Sequence, residues 1–326
     1  MELETTRTSD SYDVVVVGGG AAGLGGALSL SRARRSVLVV DAGHPRNAPA
    51  AHMHNYLGRE GMPPGELLRI GRGEIAGYGA EFLDGTVREV ARDGSGFVVA
   101  TATGERIAAR QVLVTSGLVD ELPDVPGLAD RWGREVLHCP YCHGWEVRDR
   151  PVGILATNSF AAHQALMWRQ WSDDVVVFAH TGPEFDPADR EKFAARGIEI
   201  VDGEVTGLEV RGDRLVGIRL GERVIEREAI VVPPRFRVRA DFLAGLGLAP
   251  VPMYMGDEVI GTHLPAEPTG ATTVPGVWVA GNVTDMRAQV ISAASAGVFV
   301  GSMINAALIE DDVTSAVSAL RGSHVG

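Results

Sequence analysis

The sequence predicts an α/β chain of two domains, and three observations carry the prediction. Residues 12–17 are a β-branched run that leads into a glycine turn and then a helical stretch, the order a dinucleotide-binding sheet requires. A second unit of the same order, its glycines gone, begins at residues 152–155. The length, 326 residues, exceeds what one compact core usually takes.

The first unit is the most explicit. After the strand come Gly18-Gly19-Gly20-Ala21-Ala22-Gly23 and a helix over 24–34. Gly18 permits the tight turn, Gly20 lets a pyrophosphate approach the backbone, and Gly23 permits close helix packing, while the helix N-terminus faces phosphate charge. A second strand over 36–40 ends in Asp41, 18 residues after Gly23, where a carboxylate can accept hydrogen bonds from an adenosine ribose. A bare glycine turn needs neither the flanking strands nor the acid, so the stretch reads as a dinucleotide site.

The stretch 43–58 is a loop rich in histidine and turn residues. His52 and His54 suggest a metal, but two histidines without a third ligand are more often loop hydrogen bonders, and no metal is expected. Residues 65–78 read as an amphipathic helix, 81–110 as alternating strands, and 112–117 as a buried strand ending in a small-residue turn. Two prolines and a glycine within 122–127 mark a domain boundary. Beyond it, the second unit adds a strand at 175–178, and 197–232 read as strand, hairpin and strand before Pro233-Pro234 returns the chain to the first domain. Residues 277–282 are a buried strand with a glycine turn. The run 290–309 is nearly of membrane length, but three serines, Asn305 and five alanines dilute it, so a buried helix of a soluble protein is expected.

The two cysteines of the chain, Cys139 and Cys142, stand three apart. At the start of a helix this spacing sets two thiols on adjacent turns, near enough for a disulfide, where unpaired backbone N–H groups stabilise a thiolate. A reversible two-electron switch is the reading. Its alternatives are a structural bridge and half of a zinc site. A lone bridge closing four residues restricts the unfolded chain little, and zinc would need two further ligands at metal spacing.

Composition excludes some partners. A formal charge of −12 repels nucleic acid and anionic lipid, so neither nucleic acid nor membrane is expected. Residues 1–11 are polar and acidic, without the apolar core of a secretory signal. A cytoplasmic location is therefore expected, where a CxxC pair is more often catalytic than structural.

Three separated stretches, 18–41, 139–144 and 279–289, together resemble the low-molecular-weight thioredoxin reductase family of flavoproteins. Gly18, Gly20, Gly23 and Asp41 match that family's FAD fingerprint. His54-Asn55 with Gly58 matches its Glu-Asn…Gly loop, Thr115-Ser116-Gly117 its Ala-Thr-Gly turn, and Gly281-Asn282…Ala288-Gln289 its late Gly-Asp…Arg-Gln motif. The resemblance implies two Rossmann-like, doubly wound, three-layer domains of the thioredoxin reductase type. An FAD-binding domain in two parts, 11–122 and 239–318, would enclose an NAD(P)H-like domain over 123–238 that carries the CxxC pair, with tails at 1–10 and 319–326. It further implies a homodimer, and FAD held by Gly18, Gly20, Ala22, Gly23, Asp41, Ala42, Arg46, Asn55, Val87, Thr115, Gly117, Gly281, Asn282, Ala288, Gln289 and Val290.

Departures from the family narrow the function. Where the family has a Gly-x-Gly-x-x-Ala turn for NADPH, this chain has Ala156-x-Asn158-x-x-Ala161, and its His-Arg-Arg grip on the 2′-phosphate corresponds to His180-Thr181-Gly182. Losing two or three charge-assisted bonds, each worth about 1.5–3 kcal/mol, weakens NADPH by several orders of magnitude. NADPH is not expected to be the physiological reductant. The family usually follows its second cysteine with Asp; here it is His143, and Cys-x-x-Cys-His-Gly resembles the branch of dithiol oxidases that close disulfides in gliotoxin-like and holomycin-like natural products. A histidine there can take a thiol proton at neutral pH, where an aspartate is a poorer base. The alternative for His143 is a helix-start hydrogen bonder, and for His138 the two roles stand nearly even. Asn282 for the family's Asp leaves one acceptor oxygen for a ribityl hydroxyl, and Ala288 for its arginine argues against a thioredoxin-type docking surface.

The mechanism so implied begins with His143 helping to deprotonate a small dithiol or Cys139, and a substrate thiolate attacks the disulfide at Cys139. The second substrate thiol resolves the mixed disulfide. The resemblance sets Cys142 against the flavin, and oxygen is the expected acceptor. The substrate class is a small dithiol or disulfide such as a natural-product precursor. Two other functions stay open: a thioredoxin-like disulfide reductase fed by NADPH or a ferredoxin-type donor, and a flavin-bound sensor that does not turn over.

Overall fold

Residues 7–323 are described by the computed structural model; 1–6 and 324–326, parts of the two tails, lie outside the described residues. The first sheet is built from runs of valine. Ser11–Val17 (β1) ends in four of them, with Val14, Val15 and Val16 wholly buried, as a strand covered on both faces requires. It pairs in parallel with Val37–Asp41 (β2), and β2 with Glu81–Asp84 (β3). Val87–Asp93 (β4) and Gly96–Thr101 (β5) form an antiparallel hairpin that leads to Arg106–Val114 (β6), itself parallel to β1. Leu118–Glu121 (β7) then leaves this sheet.

The second sheet contains Val136–Leu137 (β8), Val152–Leu155 (β9), Val175–Phe178 (β10) and Glu199–Val201 (β11). After a small antiparallel sheet of Gly207–Arg211 (β12), Arg214–Leu220 (β13) and Arg223–Ile225 (β14), Ala229–Val231 (β15) returns to it. The parallel order is β11-β10-β9-β15-β8. Arg235–Val238 (β16), Val251–Met255 (β17) and Glu258–His263 (β18) pair as β17-β18-β16-β7. Finally Val277–Val279 (β19) lies parallel to β6, so the first sheet is completed from the far end of the chain.

The helices are Ala21–Arg32 (α1), Pro64–Ala76 (α2), Pro140–His143 (α3), Ala161–Trp168 (α4), Pro187–Arg196 (α5) and Val290–Ser323 (α6). These layers of helix on parallel sheet are the two-domain Rossmann architecture expected from the sequence. One expectation is corrected. The helix from Val290 is neither as short nor as buried as predicted: it runs to Ser323, through residues assigned to a tail, and only 28% of its most apolar window is buried. Its buried stripe is Ala293, Gly297, Val300, Gly301, Ile304 and Leu308, while Val298, Phe299, Ile309 and Val313 lie exposed. By length and composition alone it could cross a membrane. Its small residues serve another contact.

That contact is backbone against backbone between α1 and α6. A Cβ on Gly297 would sit 1.9 Å from the Ala22 carbonyl oxygen, one on Gly25 2.5 Å from that of Ala294, and one on Gly301 2.8 Å from that of Gly26. No rotamer can relieve a clash between main chains, so Gly297→Ala forces the helices apart. The expected cost is about 3 kcal/mol of stability, read as a lower urea midpoint, and an unchanged midpoint would refute this packing.

Candidate active site

In open parallel sheets, ligands bind beyond the carboxyl ends of the strands. Here those ends come from both sheets. Gly18 follows β1, Asp41 ends β2, Thr115 follows β6, and His138 and Cys139 follow β8, the edge strand of the second sheet. All of them line one cavity of about 690 Å³. The cavity thus has a dinucleotide side and a thiol side.

The dinucleotide side fits FAD. Gly18 has φ +104° and a Cβ there would strike the Thr115 carbonyl at 2.6 Å, while a Cβ on Gly23 would lie 1.9 Å from the Gly18 oxygen. The buried Thr115 hydroxyl donates to the carbonyls of Val17 (3.0 Å) and Gly18 (2.8 Å), fixing the turn. α1 begins after Gly20 with no side-chain cap, so the turn's backbone N–H groups remain for an anion. Gly20 lines the cavity, and a Cβ added to it would meet nothing within 4 Å. Ala22, Ala42, Arg46, Val87, Gly117, Asn282, Ala288, Gln289 and Val290 line it too. Gly23, Asn55 and Gly281 do not: Gly23 and Gly281 are packing positions, the latter 2.8 Å from the Ala22 methyl if it carried a Cβ.

Asn282 has a local reason to replace an aspartate. The two N–H bonds of its amide are shared among the carbonyls of Asp285 (3.0 Å), Ala288 (3.0 Å) and Met286 (3.4 Å), a donation no carboxylate could make, and its oxygen lies 3.5 Å from Arg46. Arg46 is itself fixed by Asp120 through two bonds of 2.7 and 2.6 Å and covers one face of Phe236. Asp120 carried no signal in the sequence beyond being a strand acid.

On the thiol side, Cys139 is the residue before the four-residue α3, with both sulfurs free. The Cys142 side chain and the backbone N–H groups of Cys142 and Tyr141 hydrogen-bond to Cys139, and Arg46 adds positive charge, so its pKa falls below the ordinary thiol value despite burial. Cys142 is pushed the other way, by its bond to Cys139 and by burial. Cys139 is therefore the more acidic thiol of the pair. Gly144 is needed because a Cβ there would meet the Pro140 oxygen at 2.5 Å and the Trp171 ring at 2.9 Å. His138 is held to a pKa of about 4, chiefly by burial and further by Arg46, with its ring edge-on to Phe236. Burial also lowers His143, against the pull of Glu146, so it is neutral at neutral pH. Neither of its ring nitrogens has a partner among the described residues, and both are shut off from solvent.

A clip from the first unit holds this turn. Asn55, at φ +60°, donates its side-chain amide to the Tyr141 carbonyl at 2.6 Å, so it supports the thiols instead of facing the cavity. His54 lies between Glu60 (2.5 Å) and Glu146 (3.3 Å), two carboxylates, which makes it the loop hydrogen bonder the sequence suggested. Neither Glu60 nor Glu146 carries a sequence signal for this contact with His54.

A glycine turn for a dinucleotide and a vicinal thiol pair on one cavity define an FAD-dependent thiol–disulfide oxidoreductase. The chain belongs to the pyridine nucleotide-disulphide oxidoreductase family, which it matches over residues 12–297. It is 31% identical over 317 residues to thioredoxin reductase sirT of Leptosphaeria maculans, covering 90% of this chain and 93% of that one. A probable thioredoxin reductase of Arthroderma benhamiae is 32% identical over 176 residues, a match that spans 44% of its length. The crystal structure of HlmI is 45% identical and superposes with a TM-score of 0.90, over 98% of this chain and 99% of that one. The protein is thus a thioredoxin reductase-like enzyme, with FAD as its cofactor.

The asymmetry of the thiols is testable by alkylation. In the reduced protein iodoacetamide should modify Cys139 first, with a pH midpoint below that of an ordinary thiol. Because the Cys142 hydrogen bond is the largest cause, Cys142→Ala should move that midpoint upward. A midpoint that stays in place, or first modification at Cys142, would contradict the assignment.

Proposed function

We propose that the protein is a dithiol oxidase that closes a disulfide in a small dithiol, such as a natural-product precursor, and delivers the electrons to oxygen. The observation that carries this reading is His143: a neutral imidazole beside the thiol pair, on the cavity wall, with both nitrogens unengaged among the described residues. Such a group can accept a proton from a substrate thiol. The thiolate so formed attacks Cys139 of the enzyme disulfide, Cys142 leaves, and the substrate's second thiol displaces Cys139 to close the product. When bound, FAD supplies the two-electron acceptor between the thiol pair and oxygen. The substrate loses two electrons and two protons, and oxygen gains both as hydrogen peroxide.

Two further observations support oxidation over reduction. Asn158 turns its side chain inward to accept from the Phe160 N–H at 3.1 Å, and the His180 ring accepts from the Val205 N–H at 3.1 Å, so neither is arranged as a nucleotide contact. Ala288 stands where the family carries an arginine, which speaks against a thioredoxin-type partner. We also assign the exposed stripe of α6, Val298, Phe299, Ile309 and Val313, to a homodimer contact. A second reading, reduction of a disulfide by NADPH or a ferredoxin-type donor, is favoured by the names of the relatives.

An anaerobic titration of the flavin separates the two. A small dithiol should bleach its absorbance, NADPH should not, and air should restore the colour with one peroxide per turnover. Bleaching by NADPH within seconds would replace the oxidase with a reductase. Cys139→Ser should abolish turnover, and His143→Gln should slow dithiol oxidation about 10²- to 10³-fold without loss of bound flavin. Wild-type rates in His143→Gln would remove the proposed base.

A further inference from the structure

The second strand–turn–helix unit presents a puzzle of its own. Its turn, residues 156–161, leads from β9 into α4, and the backbone N–H groups at such a helix start attract an anion. In this chain they are already engaged. Ser159 donates its backbone N–H to Glu258 Oε2 at 3.0 Å and its hydroxyl to the same oxygen at 2.5 Å. The next N–H, of Phe160, is held by the Asn158 side chain. Ala156 is wholly buried, and the loop after β10 lies directly on it: a Cβ on Gly182 would be 2.8 Å from the Ala156 oxygen. At the carboxyl ends of β9 and β10 the chain thus supplies its own partners, Gly182 against Ala156 and, at the exposed surface, Glu258 on Ser159.

Glu258 comes from elsewhere in the fold. It is the first residue of β18, in the sheet that β7 and β16 tie to the first unit. From this arrangement we infer that Glu258 is an internal anion: its carboxylate takes the place of a nucleotide phosphate at the second turn and pins that unit to the rest of the molecule. Both functions follow from one contact. A pyrophosphate entering the turn would have to displace the carboxylate and would meet its charge, while any displacement of the unit would break both Ser159 bonds at once. Glu258 therefore determines specificity, excluding a nicotinamide dinucleotide from the position where it would deliver electrons. It also helps keep the thiol turn, which hangs from β8 of the same sheet, against the cavity.

The test uses the flavin-loaded protein and inorganic pyrophosphate, followed by calorimetry. In a background with the turn's glycines restored, Ala156→Gly with Asn158→Gly, adding Glu258→Ala should raise pyrophosphate affinity at least about ten-fold, since a like charge is removed from charge-assisted donors. Equal affinity with and without Glu258 would overturn the internal-anion role. Independently, hydrogen exchange on the otherwise unaltered chain should show the Ser159 amide exchanging at least about ten-fold faster in Glu258→Ala than in wild type. An unchanged Ser159 amide would overturn the pin. Neither readout involves dithiol turnover, so a failure here is distinct from a failure of the oxidase reading.

Discussion

The site depends on how closely two helix backbones can approach. α1 starts at the glycine turn after β1, and α6 starts at the end of the Asn282–Gln289 loop, so the distance between the two helices sets the width of the dinucleotide side of the cavity. Glycines at 25, 26, 297 and 301 allow main chain to rest on main chain. Packing of this kind gains dispersion over a long contact and leaves no side-chain freedom to absorb error. The serines that diluted 290–309 as a membrane segment lie exposed, and it is Gly297 and Gly301 that make the contact.

Local chemistry was legible where a residue type is the only one its backbone allows. Gly18, Gly20 and Gly23 were read from spacing; a Cβ on Gly18 or Gly23 would strike main chain, whereas Gly20 opens onto the cavity. The CxxC pair was readable because two thiols three apart at a helix start have few other uses. What the sequence did not expose were partners far apart along the chain. Asp120 with Arg46, Glu60 and Glu146 with His54, and Glu258 with Ser159 are surface-type acids until the topology brings their partners to them. Asn55 illustrates a subtler limit. Its motif pointed to the flavin, but its side chain reaches the Tyr141 carbonyl, because a left-handed backbone at that position turns it toward the thiols.

Departures from the family's residues also acquire physical reasons. An amide at 282 brings two N–H donors to the loop carbonyls of Asp285, Met286 and Ala288, so the change from a carboxylate exchanges charge for donors that hold the loop. Gly144 has nothing to do with proton transfer, although it stands in the Cys-x-x-Cys-His-Gly string. It leaves room for Trp171, whose ring also meets Tyr141 edge-on at 5.5 Å.

The opposed acidities of the two cysteines have a consequence for selectivity over time. In the proposed reaction the mixed disulfide at Cys139 has two fates: reversal by Cys142, or closure by the substrate's own second thiol. Both attacking thiols are tethered to that adduct, so the partition follows their thiolate fractions; with Cys139 tied up in the mixed disulfide, burial still disfavours the thiolate of Cys142. The partition thus runs toward product for a vicinal dithiol. A monothiol such as a cellular thiol buffer, lacking the second group, would linger as an adduct and return unchanged, so discrimination arises from the lifetime of an intermediate as well as from the shape of a pocket.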